Sequence, residues 1–254
     1  MRDLGSPERG FGAGLGESLQ GRLRLLVLLG VGGRGLRRKL LEHEALSLLH
    51  EYSIPVAEYS FVQDAGGVVE AAGRLGYPVA LKVVSPDIVH KSDVGGVALN
   101  IKSEEELVEA LERMISSINE KAPGARLEGF LVQKMAPPGA VEVAIGGLRD
   151  PVFGPAVMFG FGGVLVELFR DVSFRVSPFD RDEALEMMRE TRVYRLLRGY
   201  RSIPARDLEA IVDVIMSVQR LLNERENVVE LDLNPVMSYT TGVLIVDARV
   251  IVEE

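Results

Sequence analysis

Three oxygen-bearing side chains are expected to share one face of a strand near the end of the chain. The segment Val228–Asp247 reads VVELDLNPVMSYTTGVLIVD, and its strict alternation of apolar and polar residues is typical of a half-buried strand. Successive side chains of a strand point in opposite directions, so Glu230, Asp232 and Asn234 lie on the same face. Neighbouring carboxylates repel each other, and burying them is costly. Hard oxygen ligands suit Mg²⁺, so this spacing indicates a divalent cation.

A second apolar run, Val243–Val252, carries one acid in its middle, Asp247. If the two runs pair as a hairpin across Ser238–Gly242, Asp247 lies close to Asp232 and Asn234. A shift of one residue in the pairing decides whether Asp247 shares their face, and the sequence leaves this open. A half-exposed sheet with a polar outer face gives the same pattern without a metal.

A lysine and a histidine are the next residues that could do chemistry. Lys82 lies inside the apolar strand predicted over Pro78–Val84, and a buried lysine is rare unless it is paired. A lysine whose ammonium reaches solvent from an edge strand is the alternative. His90 lies in the polar loop Ser85–Val97. Such a histidine is usually only solvated, although a neutral imidazole near pH 7 is also able to accept a phosphoryl group.

Composition excludes several classes of protein. The chain has 254 residues, of which 47% are hydrophobic and 26% are charged, as in an ordinary globular protein. A net charge of −8 without a long basic run argues against a nucleic-acid partner. The chain has no cysteine, which excludes disulfides and thiolate metal sites and favours a cytoplasmic location. Leu23–Val31 is too short to span a bilayer, and no small-residue cleavage site follows it.

The elements that must position these residues begin at Leu40. Met1–Gly35 holds ten glycines and no apolar period, so we predict a disordered extension over residues 1–39. Beyond it, helices and strands are interspersed, which indicates an α+β chain. The predicted helices are Leu40–Tyr52, Val68–Leu75, Ser103–Glu120, Arg181–Glu190 and Ala205–Glu224. The other predicted strands are Phe130–Met135, Val141–Gly146, Val152–Gly160, Val164–Phe169 and Ser173–Val176, with a turn at Gly160–Gly163.

Four motifs in combination resemble one family. They read GYPVALKVVSPDIVHKSDVGGV, LVQKMAPPGAVEVAIGGLRDPVFGPAVMFGFGG, LVELFRDVSFRVSPF and ELDLNPVM…VLIVDARV. They resemble the ATP-grasp (beta) subunit of ADP-forming acetyl-CoA synthetase, from the archaeal acyl-CoA synthetases, and are similar to the ATP-grasp part of succinyl-CoA synthetase. The resemblance covers about Leu40–Val252. It implies an ATP-grasp fold, with an N-terminal subdomain over 40–130 and a C-terminal subdomain over 131–254 that grip a nucleotide between them.

The resemblance also implies an activity. In this family a phosphoryl group passes from an acyl phosphate, made on a partner alpha subunit, through a phosphohistidine to ADP. We therefore expect a ligase that forms an acid–thiol bond, with Mg²⁺ and ATP or ADP as cofactors. The expected partner is an alpha subunit that carries the CoA-binding and acyl-phosphate chemistry, in a heterotetramer. No membrane or nucleic-acid partner is expected.

The resemblance assigns five residues to the nucleotide. Lys82 matches the strand lysine that holds nucleotide phosphates, and a phosphate anion explains a cation in an apolar strand. Gln133, Lys134 and Met135 match the hinge between the subdomains, where backbone groups meet the adenine. Glu142 matches an acid that binds the ribose or the base.

Five further residues are assigned to the metal and to the reaction. Asn234 and Asp247 match the Mg²⁺ ligands, and Asp232 matches an acid that is either a ligand or a supporting group behind one. His90 matches the histidine that accepts phosphate and swings. Arg175 is expected to meet the transferred phosphoryl group, because a planar guanidinium suits that charge.

Two other functions remain open. The first is a nucleotide-binding module that regulates a partner and does no chemistry. The second is an ATP-grasp carboxylate–amine ligase, although a chain of this length is short for holding an acyl-acceptor domain as well. The set Lys82, Glu142, Asn234 and Asp247 favours catalysis, because a module without chemistry would be expected to lose such a costly cluster of charge. No CoA-binding Rossmann unit is evident, so CoA must bind elsewhere.

Overall fold

The computed structural model describes residues 36–88, 90–163 and 171–254, in which helices and strands are interspersed as the sequence predicts. The described strands are β1 (Arg37–Lys39), β2 (Tyr59–Val62), β3 (Val79–Val84), β4 (Val97–Ile101), β5 (Gly129–Lys134), β6 (Val141–Asp150), β7 (Gly154–Phe161), β8 (Val172–Val176), β9 (Val228–Ser238), β10 (Val243–Ile245) and β11 (Ala248–Glu253). The described α-helices are α1 (Glu42–Glu51), α2 (Gly66–Leu75), α3 (Glu104–Lys121), α4 (Arg181–Arg189), α5 (Val193–Leu197) and α6 (Leu208–Glu224).

The strands form two antiparallel sheets. The large sheet has the order β1-β11-β9-β6-β7-β8, with β10 paired to the far part of β9. The small sheet has the order β2-β5-β3-β4. Each sheet has its own core, because α1, α4, α5 and α6 cover one face of the large sheet while α2 and α3 cover the small one.

The predicted hairpin near the end of the chain is confirmed. Strands β10 and β11 both run antiparallel to β9 and return across the turn predicted at Ser238–Gly242. Leu231 and Leu233 point into the large core, as their alternation requires, and Glu230, Asp232 and Asn234 are only partly buried on the other face. This strand therefore presents its polar side chains away from the helices.

The boundaries differ from the prediction at three places. Strand β1 pairs with β11, so the large sheet includes residues of the predicted extension 1–39. The boundary predicted between residues 130 and 131 falls inside β5 of the small sheet. Helix α1 lies within the predicted N-terminal subdomain, yet its apolar face packs in the core of the large sheet. Each sheet and its core bring together residues that are distant in the sequence, and the order of the elements along the chain does not reveal these contacts.

Two predicted features lie outside the described residues. These are the strand over Val164–Phe169 and the extension up to residue 35. In the part of the chain that is described, no helix is both long enough and apolar enough to cross a bilayer.

Candidate functional site

A cleft of about 580 Å³ lies where the two sheets meet. Its volume is within the range of about 300–1,000 Å³ that is usual for small-molecule sites. It is lined by residues from β3, β5, β6 and β9, from the start of α1 and from the loop that follows β3. Nine of the ten predicted site residues line it, namely Lys82, His90, Gln133, Lys134, Met135, Glu142, Asp232, Asn234 and Asp247.

The structure settles the register that the sequence left open. Ile245 pairs with Val236 and Ala248 pairs with Leu233, so a single register runs through both halves of the hairpin and puts Asp247 opposite Asn234. Asp247 lies in the gap between β10 and β11, where the ladder is interrupted. Both side chains line the cleft, together with Asp232.

A proline explains the irregular backbone beside these acids. Pro235 lies in β9 between two neighbouring strands, and it has no N–H to donate to a ladder. The pairing of β6 with β9 shifts by one residue at this point, between Val143 and Ile145. Irregularities of this kind bend a strand and redirect its side chains. Asn234 therefore lies where the strand is distorted.

The ionised forms of the carboxylates that line the cleft are disfavoured by desolvation and by neighbouring acids. Burial raises the pKa of Asp232 to about 6; Arg249 opposes the rise, and the nearby Asp247 and Glu230 add to it. Asp247 lines the same cleft and is exposed to solvent there. Partial desolvation by the surrounding protein raises the pKa of Asp247, and Lys82 opposes the rise. A cation placed between these groups relieves their repulsion.

The residues present fit Mg²⁺ bound together with a nucleotide. Over the described residues no group of three or more His, Cys, Asp or Glu side chains is arranged to hold a metal alone. Mg²⁺ is commonly held by one or two carboxylates plus substrate phosphates. Asp247, Asp232 and the amide oxygen of Asn234 are the donors that match this pattern.

The glycine turn after β7 lies against these ligands. The Gly163 N–H donates a hydrogen bond of 2.7 Å to Oδ1 of Asn234, and the Gly162 N–H donates one of 3.1 Å to the Glu142 carbonyl. Gly163 has φ +60°, and a Cβ there would overlap with Oε2 of Glu142. The turn predicted at Gly160–Gly163 thus holds Asn234 and leaves room for the Glu142 side chain.

Lys82 is held by a partner that sequence reasoning missed. Its Nζ donates to Oε1 of Glu42 at 2.6 Å and to the Val246 carbonyl at 2.7 Å. Lys91 Nζ donates to the other oxygen, Oε2 of Glu42. The prediction that Lys82 is buried in an apolar strand is confirmed. Glu42 carried no sequence signal, because its partner is 40 residues away.

The start of α1 puts Glu42 in this position. The Glu44 side chain accepts a hydrogen bond of 2.7 Å from the Leu41 N–H and so stabilises the first turn of the helix. Burial raises the pKa of Glu42, but Lys82 and Lys91 together lower it by more, so that the net shift is downward. The Glu42 carboxylate is therefore ionised at neutral pH.

The hinge residues offer the cleft a side-chain donor and main-chain acceptors. The N–H groups of Lys134 and Met135 already donate to the carbonyls of Glu58 and Pro78, at 2.9 and 3.1 Å. Main-chain hydrogen bonds between these two residues and a base would therefore be accepted by their carbonyl oxygens. Gln133 is buried, and its Nε2 has no hydrogen-bond partner among the described residues. A buried amide of this kind needs an acceptor, which a bound ligand can supply.

His90 is exposed to solvent at the start of a single 3₁₀ turn, Lys91–Val94. The turn ends at Gly95, with φ +73°, and the Gly96 N–H closes the loop on the Lys91 carbonyl at 2.7 Å. A Cβ at Gly96 would press on Val83 of β3. The glycines therefore let the loop turn close against the sheet, with His90 facing the cleft.

Arg175 does not reach the cleft, which corrects its predicted role. It is opposite Val157 of β7, on the face of the large sheet that the helices cover. Its guanidinium donates to Glu183 at 2.5 Å and to Glu190 at 2.6 Å. Burial lowers the pKa of Arg175, but these two carboxylates raise it by more. Arg175 thus fastens α4 to the sheet, because β8 places odd-numbered residues on that face.

The chain belongs to the ATP-grasp family, whose domain model matches residues 33–252. It is 44% identical over 214 residues to acetate–CoA ligase [ADP-forming] I subunit beta of Pyrococcus furiosus, a match that covers 84% of this chain and 92% of that protein. It is 46% identical over 227 residues to acetate–CoA ligase [ADP-forming] I of Archaeoglobus fulgidus. That match covers 89% of this chain but only 32% of the relative's length.

Solved structures of acetyl-coenzyme A synthetase 1 from Ca. Korarchaeum cryptofilum have the same fold. One, with coenzyme A and Ca-AMPCP, superposes with a TM-score of 0.82 at 47% identity and covers 90% of this chain and 98% of that one. Another contains Mg-AMPPCP and is described with its phosphohistidine segment pointing towards the nucleotide binding site (TM-score 0.74, 44% identity, coverages 91% and 98%). A third has this segment phosphorylated and in a site I orientation (TM-score 0.79, 44% identity, coverages 91% and 98%).

Proposed function

We propose that this chain is the nucleotide-binding catalytic subunit of an ADP-forming acyl-CoA synthetase, an acid–thiol ligase. The overall reaction is acyl-CoA + ADP + phosphate = carboxylic acid + CoA + ATP. The observation that carries the proposal is the convergence of Lys82, His90, Asn234 and Asp247 on one cleft. The names of the relatives support the same reaction.

The step assigned to this chain is phosphoryl transfer between His90 and ADP. A β-phosphate oxygen of ADP attacks the phosphorus of phosphohistidine, a P–O bond forms, the P–N bond breaks, and the imidazole is left neutral after its proton balance is restored from solvent. The ammoniums of Lys82 and Lys91 offset phosphate charge on the side of the cleft that carries His90. A loop histidine is suited to this step because His90 lines the cleft and is exposed to solvent.

Asn234 and Asp247 are the proposed Mg²⁺ ligands, with Asp232 as a third ligand or a supporting group. When bound, Mg²⁺ supplies charge neutralisation for the nucleotide phosphates. The raised pKa of Asp232 supports this assignment, because a bound cation would offset the cost of the ionised carboxylate. Gln133, Lys134 and Met135 are proposed to meet the adenine, and Glu142 the ribose or base.

The CoA and acyl chemistry is assigned to a partner alpha subunit, in a heterotetramer. The designation of the Pyrococcus relative as a beta subunit supports a partner, and the Archaeoglobus relative is long enough to hold both functions in one chain. The absence of cysteine from the sequence supports a cytoplasmic location. The acidic net charge supports the expectation of no nucleic-acid partner.

Reversal of the step tests the proposal on the purified chain. With Mg-ATP labelled at the γ-phosphate, the wild type should acquire phosphate that is stable in alkali, labile in acid and located on His90. The His90→Ala variant should acquire none, while its Kd for Mg-ADP stays within about threefold. Nucleotide binding without phosphate on His90 in the wild type would instead indicate a binding module without this chemistry.

A further inference from the structure

Glu42 lies where α1, strand β3 and the His90 loop (residues 90–96) meet. Its side chain is only 2% exposed, and its two oxygens are bound by different lysines. Lys82 comes from the middle of β3, and Lys91 comes from the loop itself, next to His90. Lys82 also donates to the Val246 carbonyl, beside Asp247. A single carboxylate thus joins the loop to β3 and, through Lys82, to the segment between β10 and β11 that carries Asp247.

Other contacts of the loop attach its later residues. The Gly96 carbonyl accepts from the Val83 N–H at 2.8 Å, and Gly95 packs closely enough on α3 that a Cβ would press on Ser117. Among the described residues, the ion pair that the loop makes is the one between Lys91 and Glu42. Lys91 is therefore the side chain that attaches the His90 end of the loop to the wall of the cleft, while Ile88, two residues before His90, is buried in the core of the small sheet.

The two lysines differ in how freely they can leave Glu42. Lys82 is 9% exposed on a central strand and has a second acceptor in Val246, so it remains in place. Lys91 is 16% exposed, lies on a short turn and has Glu42 as its charged partner. Since an ammonium at a solvent-accessible position regains hydration when it separates from its partner, the Lys91 contact can break without leaving a buried lysine unpaired.

We propose that Glu42 is a positioning residue that holds Lys91, and through it His90, in the nucleotide-facing position. This rests on the proposed function, because it gives the loop a task in phosphoryl transfer. Departure of His90 towards a partner breaks the Lys91–Glu42 pair, whereas Lys82 keeps its own contact with Glu42.

Hydrogen exchange of the free chain tests the positioning without any reaction. The N–H groups of Asp93, Gly95 and Gly96 donate within the loop, so their exchange reports its opening. Lys91→Met should speed exchange at these amides at least tenfold, and Glu42→Gln should do the same. Lys121→Met is the matched control, because this exposed lysine also donates to the loop, at the Asp93 carbonyl. It should leave the exchange within twofold of the wild type.

Single-turnover phosphorylation of His90 by Mg-ATP gives the second readout. Both variants should slow it at least tenfold, the double variant should be no slower than the slower single one, and Lys91→Arg should restore the rate to within threefold. A purely phosphate-binding role for Lys91 predicts slow phosphorylation with unchanged loop exchange, and that result would overturn the proposal. If Glu42→Gln does not fold, Lys91→Met decides the matter alone.

Failure of the proposed function has a different signature. A wild-type chain that acquires no phosphate refutes the phosphoryl step, yet the exchange measurement still decides whether Glu42 and Lys91 hold the loop. Accelerated exchange in both variants then supports the positioning. Unchanged exchange refutes it, whatever the phosphorylation result.

Discussion

The close packing of Gly163 against Glu142 leads to a quantitative prediction for Gly163→Ala. The substitution has two separable effects. Gly163 has φ +60°, a conformation that costs an alanine about 1–2 kcal/mol. For a chain of this size that loss lowers Tm by about 2–8 °C. The new Cβ also overlaps with Oε2 of Glu142, whose exposed side chain can move aside only by leaving its position over the turn.

The second effect appears in nucleotide affinity. If Glu142 binds the ribose or base, its displacement loses a hydrogen bond to a charged group, about 1.5–3 kcal/mol. The Kd for Mg-ADP should then rise about 10- to 150-fold, as measured by isothermal titration calorimetry. In Glu142→Ala the same substitution at Gly163 should weaken binding no further, because there is no side chain left to displace.

Gly154→Ala is the matched control. Gly154 has φ +78°, so it has a similar backbone cost, but among the described residues no atom beyond its chain neighbours lies within 4 Å of its added Cβ. It lies at the distant end of the β6–β7 hairpin. It should lower Tm by a similar amount and leave the Kd unchanged. The reasoning is refuted if Gly163→Ala binds Mg-ADP as tightly as the wild type, or if Gly154→Ala weakens binding equally.

Two further predictions concern Asp232 and Arg175. The folded-state pKa of Asp232, about 6, is above its unfolded value, so the protonated carboxyl stabilises the fold at low pH and this stability is lost as the pH rises through about 4 to 6. In EDTA, Asp232→Asn should therefore raise the unfolding free energy by about 1–2 kcal/mol at pH 7.5 and by almost nothing at pH 4; equal gains at both pH values would contradict the assigned titration. Arg175→Met should lower the free energy of unfolding, measured in urea, by about 1–3 kcal/mol, because it removes the cation that pairs with Glu183 and Glu190. The Kd of this variant for Mg-ADP should not change. A large increase in the Kd would indicate that Arg175 acts at the cleft after all.

Much of the site was predictable from local sequence patterns. Alternation with period two along a strand determines which side chains share a face, so Asp232 and Asn234 were expected together on the polar side of β9. The position of Lys82 inside an apolar run indicated a buried cation that needs a partner. These inferences held because each depends only on neighbours in the same strand.

The sequence patterns failed where a residue's role depends on contacts distant in the chain. Arg175 lies on a strand whose pairing turns odd-numbered residues towards α4, and a shift of one residue would have turned it the other way. The partner of Lys82 was also hidden, because Glu42 reaches it from a helix that belongs to the other sheet. The boundary at residue 130 failed for the same reason, since β5 completes the small sheet.

The sequence by itself determined the chemical groups of this protein and the strand faces on which they lie. Only the tertiary structure decided that Asp247 stands opposite Asn234, that Glu42 binds Lys82 and Lys91 together, and that Gly163 leaves room for Glu142. The physical reason is that alternation is a property of one strand, whereas register, packing across sheets and close approach of a turn are set by the whole folded chain.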